Sequence, residues 1–308
     1  MDQMHESIFE LLQSAGFQPD YKPDISREEI LAIIGQYHGI IVRSKTKIDK
    51  ELLENAIKLE FVARAGAGID NIDYAEVSKR EIKLVNAPEG NRDALGEHTV
   101  GMLLTLLHKL GTADREVKAG VWHREQNRGT ELGGKVVGIY GFGFMGSAFA
   151  EKLKGFGCKV LVYDKYKTNL SDGFIEQVDL ETFMEQTEVL SLHVPLTSET
   201  KGLFDTNYLL KFSKLSILLN TARGEILPIE ALITLLKSQK LIGAGLDVLE
   251  NEKIQELSAD QQKMFDQLVA FDNVILTPHV AGWTYESYER INKVIVSKLQ
   301  EQGLAYAK

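Results

Sequence analysis

The sequence predicts an α/β protein in which a doubly wound parallel sheet is inserted into a second, smaller α/β domain. Two observations lead to this prediction. Short apolar runs alternate with helix-period patterns along the 308 residues, and most of the runs are continuous rather than alternating. Continuous apolar runs are expected for parallel strands that are covered on both faces. The alternation is most regular in the middle of the chain, so the second domain is expected to take both termini.

Six strand candidates lie between residue 136 and about residue 282. They are Val136–Tyr140, Lys159–Tyr163, Glu188–Val194, Leu215–Asn220, Leu241–Val248 and Asn273–Thr277. Helix-period segments such as Ser147–Phe156 and Ile229–Ser238 connect them. Parallel strands with helical crossovers predict a Rossmann-type sheet that binds its ligand at the carboxyl ends of the strands. We assign residues 91–282 to this domain.

Residues 1–90 and 283–308 are assigned to the second domain, which we expect to be flavodoxin-like. Its helical patterns and apolar runs alternate less regularly: helices at Glu6–Ala15, Arg27–Tyr37 and Lys50–Ile57, strands at Gly39–Val42, Leu59–Ala63 and Ile82–Val85. Long helices at Asn91–Lys109 and Trp283–Leu304 are expected to be the two crossings between domains, with an active site in the cleft.

The flavodoxin-like domain lacks its usual first strand, because the chain opens in a helix-like segment at Met4–Leu12. That strand is normally central, so its loss is expected to leave two unpaired strand edges. Either the numbering begins after the strand or the true initiation site lies upstream.

Composition excludes several classes of function. A net charge of −9 and a pI near 5.4 argue against a nucleic acid or an anionic membrane as partner. An anionic substrate must then be held by local cations.

The sequence has no apolar run of membrane-spanning length and no signal-peptide pattern, so we expect a cytoplasmic protein. Cys158 is the single cysteine, which excludes an internal disulfide, and we predict no metal site.

A glycine-rich loop follows the strand candidate at residues 136–140. Gly141, Gly143 and Gly146 form the pattern G-x-G-x-x-G, with Phe144 and Met145 between them. In such a loop the first glycine permits a tight turn, the second lets the backbone approach a pyrophosphate, and the third lets helix and strand pack closely. The positive end of the following helix then faces the phosphates. Glycine-rich turns also simply close loops, but the flanking strand and helix favour a dinucleotide site.

Asp164 at the end of the next strand supports the same interpretation. A carboxylate there accepts hydrogen bonds from the adenosine ribose hydroxyls and repels a 2′-phosphate, so we expect NAD rather than NADP. Lys165 and Lys167 follow directly and could weaken that preference. We interpret both lysines as solvated charges on a loop.

Three polar residues follow the carboxyl ends of separate strand candidates, so they could meet in one cleft. They are Arg223, Glu252 and His279. Hydride transfer at a hydroxyl-bearing carbon needs a proton acceptor, for which the near-neutral pKa of histidine is suited, and a cation for a neighbouring carboxylate. Each residue also has a structural interpretation: a loop histidine, an Arg-Gly turn and an exposed acid. Their combination after the cofactor motif favours catalysis.

These segments resemble the D-isomer-specific 2-hydroxyacid dehydrogenase family over essentially the whole chain. The matching stretches are the glycine loop with Asp164, His193 to Thr197, Asn220 to Gly224, Gly245 to Glu252, and Thr277 to Gly282. The resemblance implies that Arg223 holds the substrate carboxylate and that His279, paired with Glu252, performs acid–base work. It also implies homodimers formed through the cofactor domain.

The resemblance further implies a set of cofactor-binding residues beyond the glycine loop. Asp247 would lie near the nicotinamide carboxamide, and the stretch at 193–195 would line the adenosine side. The full set is His193, Val194, Pro195, Thr221, Ala222, Asp247, His279 and Gly282. The alternatives are a helix cap for Asp247 and an ordinary strand exit for the stretch at 193–195.

Two arginines in the first 90 residues narrow the substrate. Each arginine follows an apolar strand and begins a short segment, Arg43-Ser44 or Arg64-Ala65-Gly66-Ala67-Gly68. The glycine turn in the second segment could offer backbone amides to a carboxylate. We predict that these residues bind substrate together with Arg223 and His279. Residues 86–91 and 97–98 are similar to the phosphoglycerate dehydrogenases within the family, in which the matching arginines contact the substrate phosphate. The alternative is that Arg43 and Arg64 form interdomain salt bridges.

The sequence therefore predicts oxidation of 3-phospho-D-glycerate to 3-phosphohydroxypyruvate with NAD, or the reverse, a step of serine biosynthesis. The chain ends at Lys308, soon after the terminal helix, so we expect no regulatory domain. The alternatives within the family are a glyoxylate or hydroxypyruvate reductase and a D-lactate-type enzyme. The alternative from another class is an NADH-sensing, corepressor-like binding protein.

Overall fold

The computed structural model describes residues 2–304 and divides the chain into two units. Unit 1 runs to Asp93 and resumes at Trp283, and unit 2 is Ala94–Gly282. Both contain parallel sheets with helices, so the predicted α/β class is confirmed. Met1 and residues 305–308, which the predicted second domain includes, lie outside the described residues.

Unit 1 begins with seven α-helices and β-strands. In chain order they are α1 (Ser7–Ser14), α2 (Arg27–Ile33), β1 (Gly39–Val42), α3 (Lys50–Asn55), β2 (Phe61–Arg64), α4 (Tyr74–Lys79) and β3 (Lys83–Asn86). Helix α5 (Pro88–Leu107) then contains the boundary between the units. The described strands of unit 1 form one parallel sheet in the order β1-β2-β3, with Gly39 opposite Phe61.

Unit 2 contains the remaining strands. Its elements are α6 (Leu110–Lys118), β4 (Val136–Tyr140), α7 (Phe144–Lys152), β5 (Lys159–Tyr163), β6 (Ile175–Gln177), α8 (Leu180–Gln186), β7 (Val189–Leu192), α9 (Thr206–Leu209), β8 (Ile217–Asn220), α10 (Ile229–Lys237), β9 (Gly243–Leu246), α11 (Ala259–Val269) and β10 (Val274–Leu276). Helix α12 (Tyr285–Glu301) returns to unit 1. The sheet of unit 2 is parallel, in the order β10-β9-β8-β7-β4-β5-β6.

The central strands of unit 2 are buried on both faces, as their continuous apolar runs predict. In β4, Val137 and Ile139 pack into one hydrophobic cluster, whereas Tyr140 packs into another with Phe183 and Leu190. The sequence reading missed β6, a short edge strand with only one buried residue. It also began α7 too late: the helix starts at Phe144, directly after Gly143, and includes Gly146.

The sequence predicts two unpaired strand edges where a central strand is missing, but the described strands of unit 1 form one continuous sheet, and the edge without a neighbour beside α1 lies at β1. Within residues 2–304 no strand precedes α1, and β1 pairs only with β2. The carboxylate of Asp2 accepts hydrogen bonds from the backbone N–H groups of Arg43 (2.6 Å) and Lys45 (3.1 Å), just past the end of β1. An apolar groove of about 620 Å³ runs beside β1 between α1 and residues 16–25.

Local signals explain where the helices of unit 1 begin. Ser26 and Glu29 form a reciprocal capping box at the start of α2, and Thr284 and Ser287 do the same for α12. Each box satisfies backbone N–H groups that have no partner within the helix. No helix in the described part of the chain has the length and apolar character needed to span a bilayer.

Candidate active site

The glycine loop of unit 2 combines two crowded positions with one open position. Gly141 has φ +93°, and a Cβ there would lie 2.7 Å from Cγ1 of Val194. A Cβ on Gly146 would lie 2.2 Å from the carbonyl oxygen of Gly141, so helix α7 packs directly on the turn. A Cβ on Gly143, in contrast, would meet nothing within 4 Å. The open backbone at Gly143 and the amino end of α7 suit the approach of a pyrophosphate.

Asp164 lies at the carboxyl end of β5 and organises the neighbouring loops. Its carboxylate accepts hydrogen bonds from the backbone N–H groups of Phe142 (2.8 Å), Tyr166 (3.0 Å) and Lys167 (3.0 Å). Burial alone would raise the pKa of Asp164, but these donors and the charge of Lys167 outweigh it, and the pKa lies below its ordinary value. The carboxylate therefore stays charged beside the glycine loop, as binding to ribose hydroxyls requires.

The two lysines after Asp164 are exposed on a loop, as the sequence predicts, and each also has a defined partner. Lys165 Nζ lies 2.6 Å from Oε2 of Glu199. Lys167 Nζ donates to the carbonyl oxygen of Phe142, at 2.8 Å. Both lysines are exposed, so the pairs remain in contact with solvent.

The stretch at 193–195 is only partly open to a ligand. His193 is buried, with Nε2 2.8 Å from Oγ of Ser191, and burial lowers the pKa of this imidazole to about 3. It is therefore neutral and packed inside unit 2. Val194 is half-buried beside Gly141, and Pro195 is exposed. The buried His193 side chain is not available to a ligand, and cofactor contacts of Val194 and Pro195 stay a prediction.

Arg223 sits in a turn that the side chain of Asn220 holds. Asn220 is buried at the end of β8, accepts a hydrogen bond from the N–H of Ala222 (3.0 Å) and donates to the carbonyl of Arg223 (3.0 Å). Thr221 is also buried, with Oγ1 3.4 Å from that of Thr99. Ala222 accepts from Nη1 of Arg223, at 2.6 Å. A buried amide thus shapes the turn, a role that no local sequence pattern indicates.

The turn lies against the segment that leads to Glu252. A Cβ on Gly224 would be 2.0 Å from the carbonyl group of Leu249, so only glycine allows the two backbones to meet here. The backbone N–H of Ile229 also donates to Oε2 of Glu250, at 2.8 Å. The structure therefore brings the segments that carry Arg223 and Glu252 side by side.

Glu252 and His279 form the pair that the sequence predicts. Nδ1 of His279 lies 2.9 Å from Oε1 and 3.0 Å from Oε2 of Glu252. The two side chains are 46% and 47% exposed, so the pair is open to a ligand. His279 has φ +55°, a left-handed conformation that is uncommon for a residue with a side chain and is often found at functional sites.

Asp247 anchors the loop that carries His279. It is 1% exposed, and its carboxylate accepts hydrogen bonds from Thr277 Oγ1 (2.5 Å) and from the backbone N–H groups of Val280 (2.9 Å) and Ala281 (2.8 Å). Its own carbonyl accepts from the N–H of His279, at 2.8 Å. The helix-cap alternative is wrong. Contact with the nicotinamide carboxamide stays a prediction, as does the cofactor contact of Gly282.

His98 joins the same network, although the sequence reading gave it no role. Its Nε2 lies 3.1 Å from Oγ1 of Thr277 and 3.8 Å from Oδ1 of Asp247. It comes from helix α5, far from residue 277 in sequence. In the sequence, His98 was noted only because residues 97–98 are similar to the phosphoglycerate dehydrogenases.

In unit 1, Arg43 is held by aromatic rings that sequence reasoning missed. Its Cζ lies 3.9 Å from the ring centroid of Trp283 and 5.1 Å from that of Tyr288. The neighbouring Ser44 is exposed. The two rings belong to the start of α12, and no local pattern links them to Arg43.

The turn after β2 corrects one prediction. The N–H of Gly66 donates to the carbonyl oxygen of Arg64, at 2.9 Å, so this amide is not offered to a carboxylate. Gly66 has φ +142°, and a Cβ there would lie 1.7 Å from Nη1 of Arg64. Ala65 is buried, while Ala67 and Gly68 are half-buried. A role for the Gly68 amide stays a prediction.

Comparison with known proteins identifies the family. Residues 100–281 match the family described as D-isomer specific 2-hydroxyacid dehydrogenase, NAD binding domain. The D-3-phosphoglycerate dehydrogenase of Archaeoglobus fulgidus is 35% identical over 296 residues, which cover 96% of this chain and 55% of that protein. The hydroxypyruvate reductase of Thermotoga maritima is 34% identical over 281 residues, which cover 91% of this chain and 90% of that protein.

A solved structure agrees with these relatives. The D-lactate dehydrogenase from Aquifex aeolicus, complexed with NAD and lactic acid, superposes with a TM-score of 0.81 at 29% identity, covering 97% of this chain and 89% of that one. This chain spans about half the length of the D-3-phosphoglycerate dehydrogenases that it matches. With the glycine loop, Asp164 and the His279–Glu252 pair in place, the chain belongs to the D-isomer-specific 2-hydroxyacid dehydrogenase family.

Proposed function

We propose that the protein is an NAD-dependent oxidoreductase that transfers a hydride between a D-2-hydroxy acid and NAD. The observation that carries this proposal is the contact of His279 with Glu252, on the same unit as the glycine loop and Asp164. Bound NAD supplies the hydride acceptor, and the protein supplies orientation and proton transfer.

His279 has the geometry of an acid–base group. Nδ1 faces the carboxylate of Glu252, which leaves Nε2 for the substrate hydroxyl. In the oxidation direction Nε2 takes the hydroxyl proton as hydride leaves the same carbon, and Glu252 stabilises the imidazolium that forms. In the reverse direction the imidazolium returns that proton to the carbonyl oxygen.

Arg223 is the candidate for the substrate carboxylate. A guanidinium binds a carboxylate through two parallel hydrogen bonds, and its charge also polarises a neighbouring carbonyl. Asn220 fixes the turn that carries it, so the side chain starts from a defined backbone position.

We further propose that the acid carries a phosphate group and is 3-phospho-D-glycerate, interconverted with 3-phosphohydroxypyruvate. Two arginines in unit 1, Arg43 and Arg64, support this in a chain of net charge −9, because a phosphate needs local cations there. Several relatives, including that of Archaeoglobus fulgidus, are named D-3-phosphoglycerate dehydrogenases.

Hydroxypyruvate or glyoxylate reduction is the second candidate. It is favoured by the Thermotoga maritima hydroxypyruvate reductase, which this chain matches over 90% of that protein's length. A glyoxylate reductase from Thermofilum pendens is 35% identical over 287 residues. Both candidates use the same acid–base pair and differ in the tail of the substrate.

A panel of acids tests these proposals. Purified protein is mixed with NAD and 3-phospho-D-glycerate, D-glycerate or D-lactate, or with NADH and glyoxylate or hydroxypyruvate, and NADH absorbance is followed. We expect the highest kcat/KM with the phosphorylated acid. A higher value with glyoxylate or hydroxypyruvate would select the second candidate. Stabilisation by NAD without turnover of any acid would instead support an NADH-sensing binding protein.

The phosphate assignment predicts a selective effect of Arg43→Ala. Because a charged hydrogen-bond partner of the phosphate is lost, we expect the KM for 3-phospho-D-glycerate to rise at least about tenfold more than the KM for D-glycerate. Steady-state kinetics with both acids measure this. Equal rises for the two acids would reject the assignment.

Two expectations about the protein in the cell stay predictions. The homodimer is one, and exposed apolar side chains in unit 2 support it, namely Leu110 and Val117 of α6 and the nearby Trp122. Sedimentation of the purified chain tests it, and a monomer at micromolar concentration would reject it. The other is a cytoplasmic location, which cell fractionation tests.

A further inference from the structure

The Arg43 side chain lies against two aromatic rings of unit 1. Its Cζ is 3.9 Å from the centroid of the Trp283 ring and 5.1 Å from that of the Tyr288 ring. The two rings contact each other, with centroids 4.6 Å apart and planes tilted by 48°. The contact joins the residue after β1 to the start of α12.

The main chain of Arg43 is fixed as well. Its N–H donates to Oδ2 of Asp2 at 2.6 Å, and its carbonyl accepts from Nδ2 of Asn71 at 3.0 Å. In the side chain, Nη1 donates to the carbonyl oxygen of Gln3 at 3.2 Å. Arg43 is therefore held both at its backbone and at its guanidinium, which reduces the rotamer freedom that a bound anion would otherwise have to restrict.

The rings hold the guanidinium without neutralising it. Burial lowers the pKa of Arg43, but an arginine remains charged at any ordinary pH. The charge is favourable over an aromatic face, and a stacked guanidinium keeps its N–H groups at the rim of its plane. The Arg43 guanidinium contacts the two rings, the carbonyl oxygen of Gln3 and the hydroxyl group of Tyr288. The carboxylate of Asp2 hydrogen-bonds to backbone N–H groups and favours the charged form of Arg43 from a distance.

We propose that Trp283, together with Tyr288, determines specificity by positioning the Arg43 guanidinium for the phosphate of the substrate. Trp283 acts through Arg43 and is a positioning residue. The proposal rests on the proposed function, because it assumes that Arg43 binds a phosphate. It adds a determinant of substrate choice at the amino end of α12, a helix that the sequence analysis predicts only as a crossing between domains.

Variants at Trp283 are expected to fold. The ring is 42% exposed, so it does not fill the core of unit 1. Helix α12 begins with the capping box of Thr284 and Ser287, which a change at residue 283 leaves intact. Tyr285, two residues on, is 94% exposed and supplies a matched aromatic control.

The experiment compares Trp283→Leu, Trp283→Phe and Tyr285→Leu with the wild-type protein in the presence of NAD. For Trp283→Leu we expect the KM for 3-phospho-D-glycerate to rise about tenfold relative to the KM for D-glycerate, because the cation–π contact is lost, with kcat changed less than about twofold. Trp283→Phe keeps an aromatic face and is expected to restore most of the affinity. Tyr285→Leu is expected to behave like the wild type.

Other outcomes would overturn the inference. If Arg43→Ala is selective for the phosphorylated acid but Trp283→Leu is not, the proposed function stands and the positioning role is wrong. Equal KM rises for both acids in Trp283→Leu would show a merely structural role.

If the wild type does not oxidise 3-phospho-D-glycerate, the proposed substrate fails and a binding measurement decides. Calorimetry with inorganic phosphate, on the NAD-bound protein, then compares wild type with Trp283→Leu. A Kd raised about tenfold supports the positioning of Arg43. An equal Kd, or no binding by the wild type, contradicts it.

Discussion

Unit 2 places its polar residues past the carboxyl ends of strands in a seven-stranded sheet, whereas unit 1 places Arg43 and Arg64 past strands of a three-stranded one. In unit 2 a buried amide, Asn220, and a buried carboxylate, Asp247, fix the loops through hydrogen bonds. In unit 1 Arg43 is fixed by two aromatic rings and by hydrogen bonds of its backbone.

This difference leads us to expect different roles for the two units, catalysis for unit 2 and substrate recognition for unit 1. Buried hydrogen bonds in unit 2 set the geometry of the groups that we propose move a proton, so damage there should lower kcat. The contacts of Arg43 in unit 1 set the position of the cation that we propose binds the substrate phosphate, so damage there should raise KM.

The largest effect on stability is expected from one of two alanine substitutions in the glycine loop, Gly146→Ala, with Gly143→Ala as its comparison. Gly146→Ala would place a Cβ 2.2 Å from the carbonyl oxygen of Gly141, which belongs to the backbone and cannot rotate away. We expect a loss of about 3 kcal/mol or more in the free energy of unfolding. Gly143→Ala meets nothing within 4 Å and should leave the stability nearly unchanged while weakening NAD binding. Denaturant unfolding and NAD titration measure the two effects.

The unit 1 control for this pair is Gly39→Ala. A Cβ there would meet the ring of Phe61, a side chain rather than a backbone group. We expect a stability loss without any change in NAD affinity. If Gly143→Ala binds NAD as the wild type does, the loop is not the pyrophosphate site.

The next effect compares the loop anchors of the two units. Asp247→Ala removes the acceptor of Val280 and Ala281 from a buried position, so we expect a loss of about 2–3 kcal/mol in stability and about 100-fold in kcat. Asn71→Ala removes the donors to the carbonyl oxygens of Arg43 and Thr46. It should mainly raise the KM for the phosphorylated acid. If Asn71→Ala lowers kcat as strongly as Asp247→Ala, the division of work between the units is wrong.

A smaller, pH-dependent effect is expected at Asp164. Its pKa is depressed in the folded protein, so its carboxylate contributes stability above its unfolded pKa of about 3.9, and this contribution is lost as the pH falls through the folded value. Asp164→Asn should lower the free energy of unfolding by about 1 kcal/mol at neutral pH, with a smaller difference in acid. Denaturant unfolding of the wild type and of Asp164→Asn, at neutral and at acidic pH, measures the difference in the free energy of unfolding. A difference that does not change with pH would contradict the role of the charge.

The sequence predicted the strands of unit 2 well where the apolar runs are continuous. Val136–Tyr140 and Lys159–Tyr163 have the predicted bounds, because their nearly continuous apolar runs are typical of parallel strands covered on both faces. The strand Ile175–Gln177 was missed because its residues after Ile175 are polar and only partly buried. The predicted helix Asn91–Lys109 ends where the backbone of Lys109 is left-handed (φ +51°), but helix α6, which follows directly, was not predicted.

For the site, the sequence located the polar residues but not what holds them. Glu252 and His279 follow strand ends, and their position there made a contact foreseeable. The anchoring of the His279 loop by Asp247 and the stacking of Arg43 on Trp283 join residues that are distant in sequence. Contacts of this kind arise from tertiary packing and leave no local pattern.

The most direct test measures both kcat and the Kd for NAD in Arg223→Ala and His279→Ala. Alanine is chosen because it leaves no polar side-chain group at either position. With the best acid of the panel, both variants should lose at least about 100-fold in kcat while the Kd for NAD stays within about threefold of the wild type. Normal turnover in either variant would contradict the role assigned to that residue, and normal turnover in both would remove the basis of the proposed chemistry.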